Sequence, residues 1–148
     1  MVRNYRLSHD DMAVRVELPQ HLGIKTMDGR LKTGIVLVDD TMVDIIQALW
    51  YKYKIGTVGS CKGYNHKKLS GLPWIQIGSN VDYPDWVVNL IIRETIRALD
   101  EISDFPVVVY DPKCIPNVNP RVYISSKWYH VLMEKCCVVD IPIIVIQD

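Results

Sequence analysis

Two periods organise the apolar positions of this chain and divide it into strands and helices. Val14, Val16 and Leu18 alternate with Arg15 and Glu17, the two-residue period of a strand with one buried face, and Pro19 closes it. Asp28-Gly29, flanked by Ile24–Met27 and Arg30–Thr33, has the composition of a two-residue hairpin turn. After Gly34, Ile35-Val36-Leu37-Val38 is wholly apolar, which predicts a central strand covered on both faces. Asp39-Asp40 follows where the first free amides of a helix need acceptors, and predicts a cap. Met42, Ile45, Ile46, Leu49 and Tyr53 then recur at three- and four-residue steps and form one apolar stripe.

Beyond that helix, Ile55–Gly59 and Pro73–Ile77 read as strands on either side of a polar loop. Asp82 and Pro84 announce a second helix from Asp85 to Glu101, with Trp86, Val87, Leu90, Ile91 and Leu99 as its apolar positions. Phe105–Tyr110 is a strand stopped by Asp111-Pro112, and a loop rich in Pro and Asn runs on to Pro120. Arg121–Ile124 is a further strand. Ser125 or Ser126 is placed to cap a third helix through Lys135, and Ile141–Ile146 is the last strand, its Pro142 marking an edge or entry position. From Ile35 the order β-α-β-β-α-β matches the split βαβ, ferredoxin-like pattern. The predicted fold is α/β (α+β): that core, an N-terminal hairpin and a C-terminal β-α-β extension, in one domain over residues 1–148.

Charge narrows the partners. Seventeen basic and 17 acidic side chains cancel. Non-specific nucleic-acid binding draws on an excess of Lys and Arg, so this balance argues against it and leaves association into homo-oligomers electrostatically unopposed. Hydrophobic residues at 49% supply a core and exclude a disordered composition. No apolar stretch reaches the roughly 18 residues of a bilayer span. The longest, Val138–Ile146, is broken by Asp140 and Pro142, and no apolar run follows the charges of Met1–Arg6. The expected setting is cytoplasmic and away from membranes. There Cys61, Cys114, Cys136 and Cys137 remain thiols.

The densest chemistry lies in Ser60-Cys61-Lys62-Gly63-Tyr64-Asn65-His66-Lys67-Lys68. Glycines at 59, 63 and 71 let the backbone turn and approach a ligand, its amides can form an anion nest, and three lysines add charge. The loop leaves a strand end, the edge of an α/β sheet where ligands commonly sit. Ser60, Cys61, Lys62, Gly63, Tyr64, His66, Lys67 and Lys68 are therefore the candidate ligand-binding residues for an anionic, nucleotide-like molecule. A solvated β-β connection is the plain alternative. A second reading makes Cys61 a nucleophile activated by Lys62 and His66. Zinc is not expected: Cys61, His66, Cys114, Cys136 and Cys137 lack the paired spacings of a zinc site, and His9, His21 and His130 are scattered. Asp10-Asp11 and Asp39-Asp40 are adjacent carboxylates whose side chains diverge. No Walker motif, dinucleotide fingerprint or serine elbow occurs, so no cofactor is implied.

Four tryptophans and eight tyrosines stand against one phenylalanine. Trp50, Tyr51 and Tyr53 cluster on the first helix and Trp128, Tyr129 and His130 on the third, a composition suited to interfaces or base stacking, and equally to core packing. The helical phase turns Tyr51 and Tyr129 outward.

Residues Val38–Trp50, Ile55-Gly56-Thr57, Ser60–Gly63 and Trp74–Ile77 resemble small uncharacterised phage and bacterial proteins that share a helix ending Leu-Trp and a Thr-x-x-Ser-Cys-x-Gly loop. The resemblance implies no particular activity. A phage origin would imply an anti-defence protein, one that sequesters a nucleotide signal or blocks a host partner through its Trp/Tyr surfaces. The Ser-Cys-x-Gly element also resembles a loop of the wybutosine-pathway tRNA methyltransferase, but Tyr64 replaces that family's basic residue.

Overall fold

A computed structural model of the chain describes residues 13–24, 30–31, 34–63, 71–78, 83–114, 121–135 and 141–147. The predicted Asp28-Gly29 turn lies outside these residues, as do Cys136 and Cys137. The architecture is mixed α and β. Strands β1 (Ala13–Glu17) and β2 (Ile35–Asp39) pair antiparallel as a two-stranded sheet. Five further strands, β3 (Thr57–Cys61), β4 (Trp74–Ile77), β5 (Val108–Tyr110), β6 (Val122–Ser125) and β7 (Ile143–Ile146), form a second sheet in the order β3-β4-β5-β6-β7. Helix α1 (Val43–Tyr51) follows a 3-10 turn at Asp40–Met42, α2 (Asp85–Ile102) joins β4 to β5, and α3 (Ser126–Lys135) leads from β6 towards β7.

Two parallel pairs, β4/β5 and β6/β7, meet at the antiparallel β5/β6 junction. Each pair is linked through one helix, and such crossovers are right-handed. Both links step the same way across the sheet while their strands run in opposite directions, so the rule puts the helices on opposite faces. That is the arrangement found. Ile92 and Ile96 of α2 pack with Ile75, Ile77, Val109 and Tyr123, whereas Leu132 of α3 packs with Val108, Tyr110, Val122 and Ile124. Alternation along β4, β5 and β6 divides their side chains between the two cores.

The element order predicted from Ile35 is present, but the pairing is not the interleaved one of a ferredoxin-like sheet. There the first strand would lie inside the main sheet; here Ile35–Asp39 pairs only with β1 among the described residues. Nor is it a central strand. Ile35 and Leu37 are 59% and 62% exposed, because register places them on one face with Arg15 and Glu17, and only Val36 and Val38 face the core. The strands buried on both faces are β5 and β6, inside the sheet: Val108, Val109 and Tyr110, and Val122, Tyr123, Ile124 and Ser125, are all buried.

The stripe on α2 also differs from the predicted one. Val88, Ile92, Thr95, Ile96 and Leu99 are buried, while Trp86 is 70% exposed and Leu90 points to solvent. Its first two turns are apolar except at Asp85 and Asn89, so they set the phase poorly; the polar residues of the second half fix it. Ser125 ends β6 and its buried hydroxyl has no hydrogen-bond partner among the described residues, so it does not cap α3. Among the described residues no helix is long and apolar enough to cross a membrane.

Candidate functional site

Of the eight residues predicted to bind ligand, four fall among the described residues; Tyr64, His66, Lys67 and Lys68 lie outside them. Ser60 and Cys61 belong to β3 rather than to a loop, paired with Ile75 and Trp74, so the connection to β4 begins at Lys62. It leaves the carboxyl end of β3, which is the edge at the amino ends of β4 and β5.

Asp39 and Asp40 fasten this exit. The buried Asp39 carboxylate accepts the Lys62 backbone N–H at 2.8 Å. Asp40 Oδ1 accepts from Lys62 Nζ at 3.3 Å and from the Thr41 amide at 2.9 Å. The predicted helix cap is thus half right: Asp40 serves the amide next to it, but Asp39 makes no capping bond and ties β2 to β3 instead. Gly63 donates its N–H to Cys61 Sγ at 3.4 Å. With the amides of Lys62 and Gly63 already bonded within the chain, the described part of the turn is no anion nest. What remains for a ligand there is side-chain charge.

Burial pushes the Cys61 thiol above its ordinary value; the Gly63 amide pulls it back, and nearby Asp39 raises it further. A nucleophilic cysteine needs the opposite shift, so the environment keeps Cys61 protonated at neutral pH. Cys114 lies beyond the other end of the strands, past the carboxyl end of β5. Among the described residues no three His, Cys, Asp or Glu side chains gather into a metal site.

A cavity of about 320 Å³ opens beside Lys62. Thr41 from the 3-10 turn, Lys62, Pro73 before β4, Phe105 and Pro106 before β5, and Lys135 at the end of α3 line it. Prolines and a phenylalanine ring give it an apolar wall, and two lysines from distant parts of the chain stand at its rim. Lys62 shares its charge with Asp40 and is largely buried; Lys135 is exposed and makes no ion pair among the described residues. Lys135 and Phe105 are site residues that the sequence does not single out, because only the third dimension brings them to Lys62.

The opposite edge, at the carboxyl ends of β4 and β5, holds a second polar cluster. Asp111, 1% exposed, accepts the Lys113 amide at 2.8 Å and faces Arg121 Nη1 at 3.5 Å. Buried Gln76 donates its side-chain amide to the Cys114 carbonyl. Lys113 Nζ reaches Asp85 in the first turn of α2 at 2.9 Å and holds that carboxyl below its usual range. A polar residue directly after a wholly apolar strand was the available signal for this edge, since ligands gather outside the carboxyl ends of parallel strands.

Burial, and then the Asp111 carboxylate, push the Cys114 thiol up to about 11. A raised value means that the folded state holds the proton more tightly than the unfolded chain, whose thiol titrates near 9.0. The associated stability is complete below that pH and is lost as the pH rises through the folded value. Burial raises Tyr110 and Tyr123 in the same sense. Urea unfolding should therefore give a free energy that falls between pH 9 and 11, with a shallower fall in Cys114→Ala; a flat profile in the parent chain would contradict this.

The aromatic clusters divide as helical phase dictates. Trp50 is buried and donates its indole N–H to Thr57 Oγ1 at 3.0 Å, and Tyr53 donates to Glu101. Tyr51 is exposed, its ring 5.7 Å from that of His21, and Tyr129 is exposed on α3. Trp128 is half-buried beneath Lys127. No family model, no curated protein and no solved structure matches the chain. Function therefore rests on the chemistry of these two edges.

Proposed function

We propose that this chain binds and holds an anionic small molecule with a planar apolar part, a nucleotide-like ligand, in the cavity between Lys62 and Lys135. One observation carries the reading: two lysines from separate elements converge on an apolar concavity that also offers the Thr41 hydroxyl and the Phe105 ring. Phosphate would take the cations, and a base would lie against Phe105 and the prolines. An incoming anion competes with Asp40 for Lys62, so Lys135 supplies the uncommitted charge. Charge, a hydroxyl and a ring support binding rather than turnover, and the protonated Cys61 thiol supports the same choice. Sequestration of a nucleotide signal, with the chain self-associated in the cytoplasm, is the role this reading gives it.

Calorimetric titration with linear and cyclic nucleotides tests the proposal. Lys135→Ala should weaken binding about tenfold, the worth of one charge-assisted contact. A nucleoside without phosphate should bind at least as weakly as that variant binds the nucleotide. Unchanged affinity in a Lys62→Ala, Lys135→Ala double variant would overturn the site.

A second reading, a surface that blocks a protein partner, is favoured by Trp86, Leu90 and Tyr83, large apolar side chains exposed at the start of α2. Stoichiometric capture of a protein partner by the parent chain, abolished by Trp86→Ser, would select it.

A further inference from the structure

Helix α2 packs over β5 and β6, and the edge strand β7 beside them is left partly uncovered on that face. Ile144 is exposed there, and a groove of about 500 Å³ runs between the helix and the strand. Ile92, Ile144, Ile146 and Pro142 form its apolar floor. Two guanidinium groups border it, Arg93 from α2 and Arg121 from the entry to β6, together with Asn89 one turn before Arg93 and the Tyr123 phenol.

These polar groups are not equivalent. The buried Asp111 carboxylate meets Arg121 at 3.5 Å, and Tyr123 and Asp111 together favour the charged form of that guanidinium. Arg93 makes no hydrogen bond or ion pair among the described residues and is exposed. Two cations and one buried carboxylate leave a single positive charge beside an apolar strip. One negative charge would neutralise it.

We infer that this groove is a binding site for a small amphipathic monoanion, a carboxylate carrying a hydrocarbon body. The carboxylate would lie between the guanidinium forks of Arg93 and Arg121, whose planar donors match its two oxygens. The hydrocarbon would lie over Ile144, whose exposed side chain gains from leaving water, with the buried Ile92 and Ile146 forming the floor beneath it. Asp111 acts as a positioning residue, fixing Arg121 without touching the ligand. This groove lies at the edge of the sheet opposite the Lys62–Lys135 cavity, so the two sites are independent.

Calorimetric titration of the whole chain with octanoate, octyl phosphate and octanol tests the assignment. Octanoate should bind saturably, and octanol, which lacks the charge, at least about tenfold more weakly. Arg93→Gln, a substitution at an exposed helix position that leaves the fold intact, should weaken octanoate by about the same factor. Arg121→Lys keeps the charge and loses the fork, and should also weaken it. Lys135→Ala should leave octanoate affinity unchanged, which separates failure here from failure of the nucleotide cavity. Equal binding of octanol and octanoate, tighter binding of octyl phosphate, or unchanged octanoate affinity in Arg93→Gln would each overturn the proposal.

Discussion

Gly63→Ala is expected to lower the unfolding free energy by about 3–4 kcal/mol, more than the same change at Gly23, Gly34, Gly56, Gly59 or Gly78. Two costs add at this position. The backbone has φ +75°, a left-handed conformation that a side chain makes costly by roughly 1–2 kcal/mol. A Cβ would also stand 2.5 Å from the Gly71 carbonyl oxygen, 2.6 Å from the Pro73 nitrogen and 2.7 Å from the Leu72 carbonyl carbon. All three are backbone atoms, so no rotamer change relieves the contact, and the two ends of the β3–β4 connection must separate. Gly34 is the internal control. Its φ is +94°, but nothing lies within 4 Å of a Cβ built there, so Gly34→Ala should carry only the conformational cost of about 1–2 kcal/mol. Urea unfolding of both variants isolates the steric part. Equal effects would mean that the close approach of residues 63 and 71–73 is not what the structure records. Because Lys62 and Pro73 line the cavity, Gly63→Ala should also abolish nucleotide binding.

Asp111→Ala should cost about 1–3 kcal/mol, the expected penalty for removing a buried acceptor from the part-buried Lys113 amide and from Arg121. The carboxylate is 1% exposed and serves the Lys113 amide and Arg121 together. Asp111→Asn keeps one oxygen for the Lys113 amide but turns a donor towards donors, so it should fall between the parent and Asp111→Ala. Asp111 also helps raise the Cys114 thiol, so both variants should bring that thiol down and speed its alkylation at alkaline pH. Destabilisation below about 0.5 kcal/mol, the range of an ordinary surface change, would show that the cluster does not hold the loop after β5.

The sequence made the elements legible more readily than their neighbours. Alternation located β1, and stops such as Pro73, Asp111-Pro112 and Pro142 bounded the strands within a residue or two. A continuous apolar run was the correct signature of a central strand, but Ile35–Val38 and Val107–Tyr110 both carry it, and only pairing decides between them. In β2 the apolar Ile35 and Leu37 sit beside Arg15 and Glu17, charges contributed by another strand. On α2 the first two turns offered Trp86 and Leu90 as readily as Val88 and Ile92. Thr95, Ile96 and Leu99 resolve that choice, because stepping back from them in helical turns reaches Ile92 and Val88.

The candidate site was legible only in part. Lys62 stands out in a loop rich in glycine and lysine, yet its partners Asp39 and Asp40 are more than twenty positions earlier and read locally as a helix cap. Lys135 and Phe105 join Lys62 because α3 crosses one face of the sheet and the approach to β5 meets the end of β3 at one edge. No local periodicity encodes such a meeting. The arginine groove is hidden for the same reason: Arg93 and Arg121 are ordinary solvent-phase residues until α2 and β7 are set side by side.

In the proposed complex an anion settles between Lys62 and Lys135 against Phe105. The most direct measurement is a heteronuclear amide spectrum of the labelled chain titrated with a nucleotide. Saturable shifts are expected, concentrated at Thr41, Lys62, Phe105 and Lys135, and shifted to about tenfold higher ligand concentration in Lys135→Ala. Saturable shifts confined to other surfaces, or none at all, would contradict that placement.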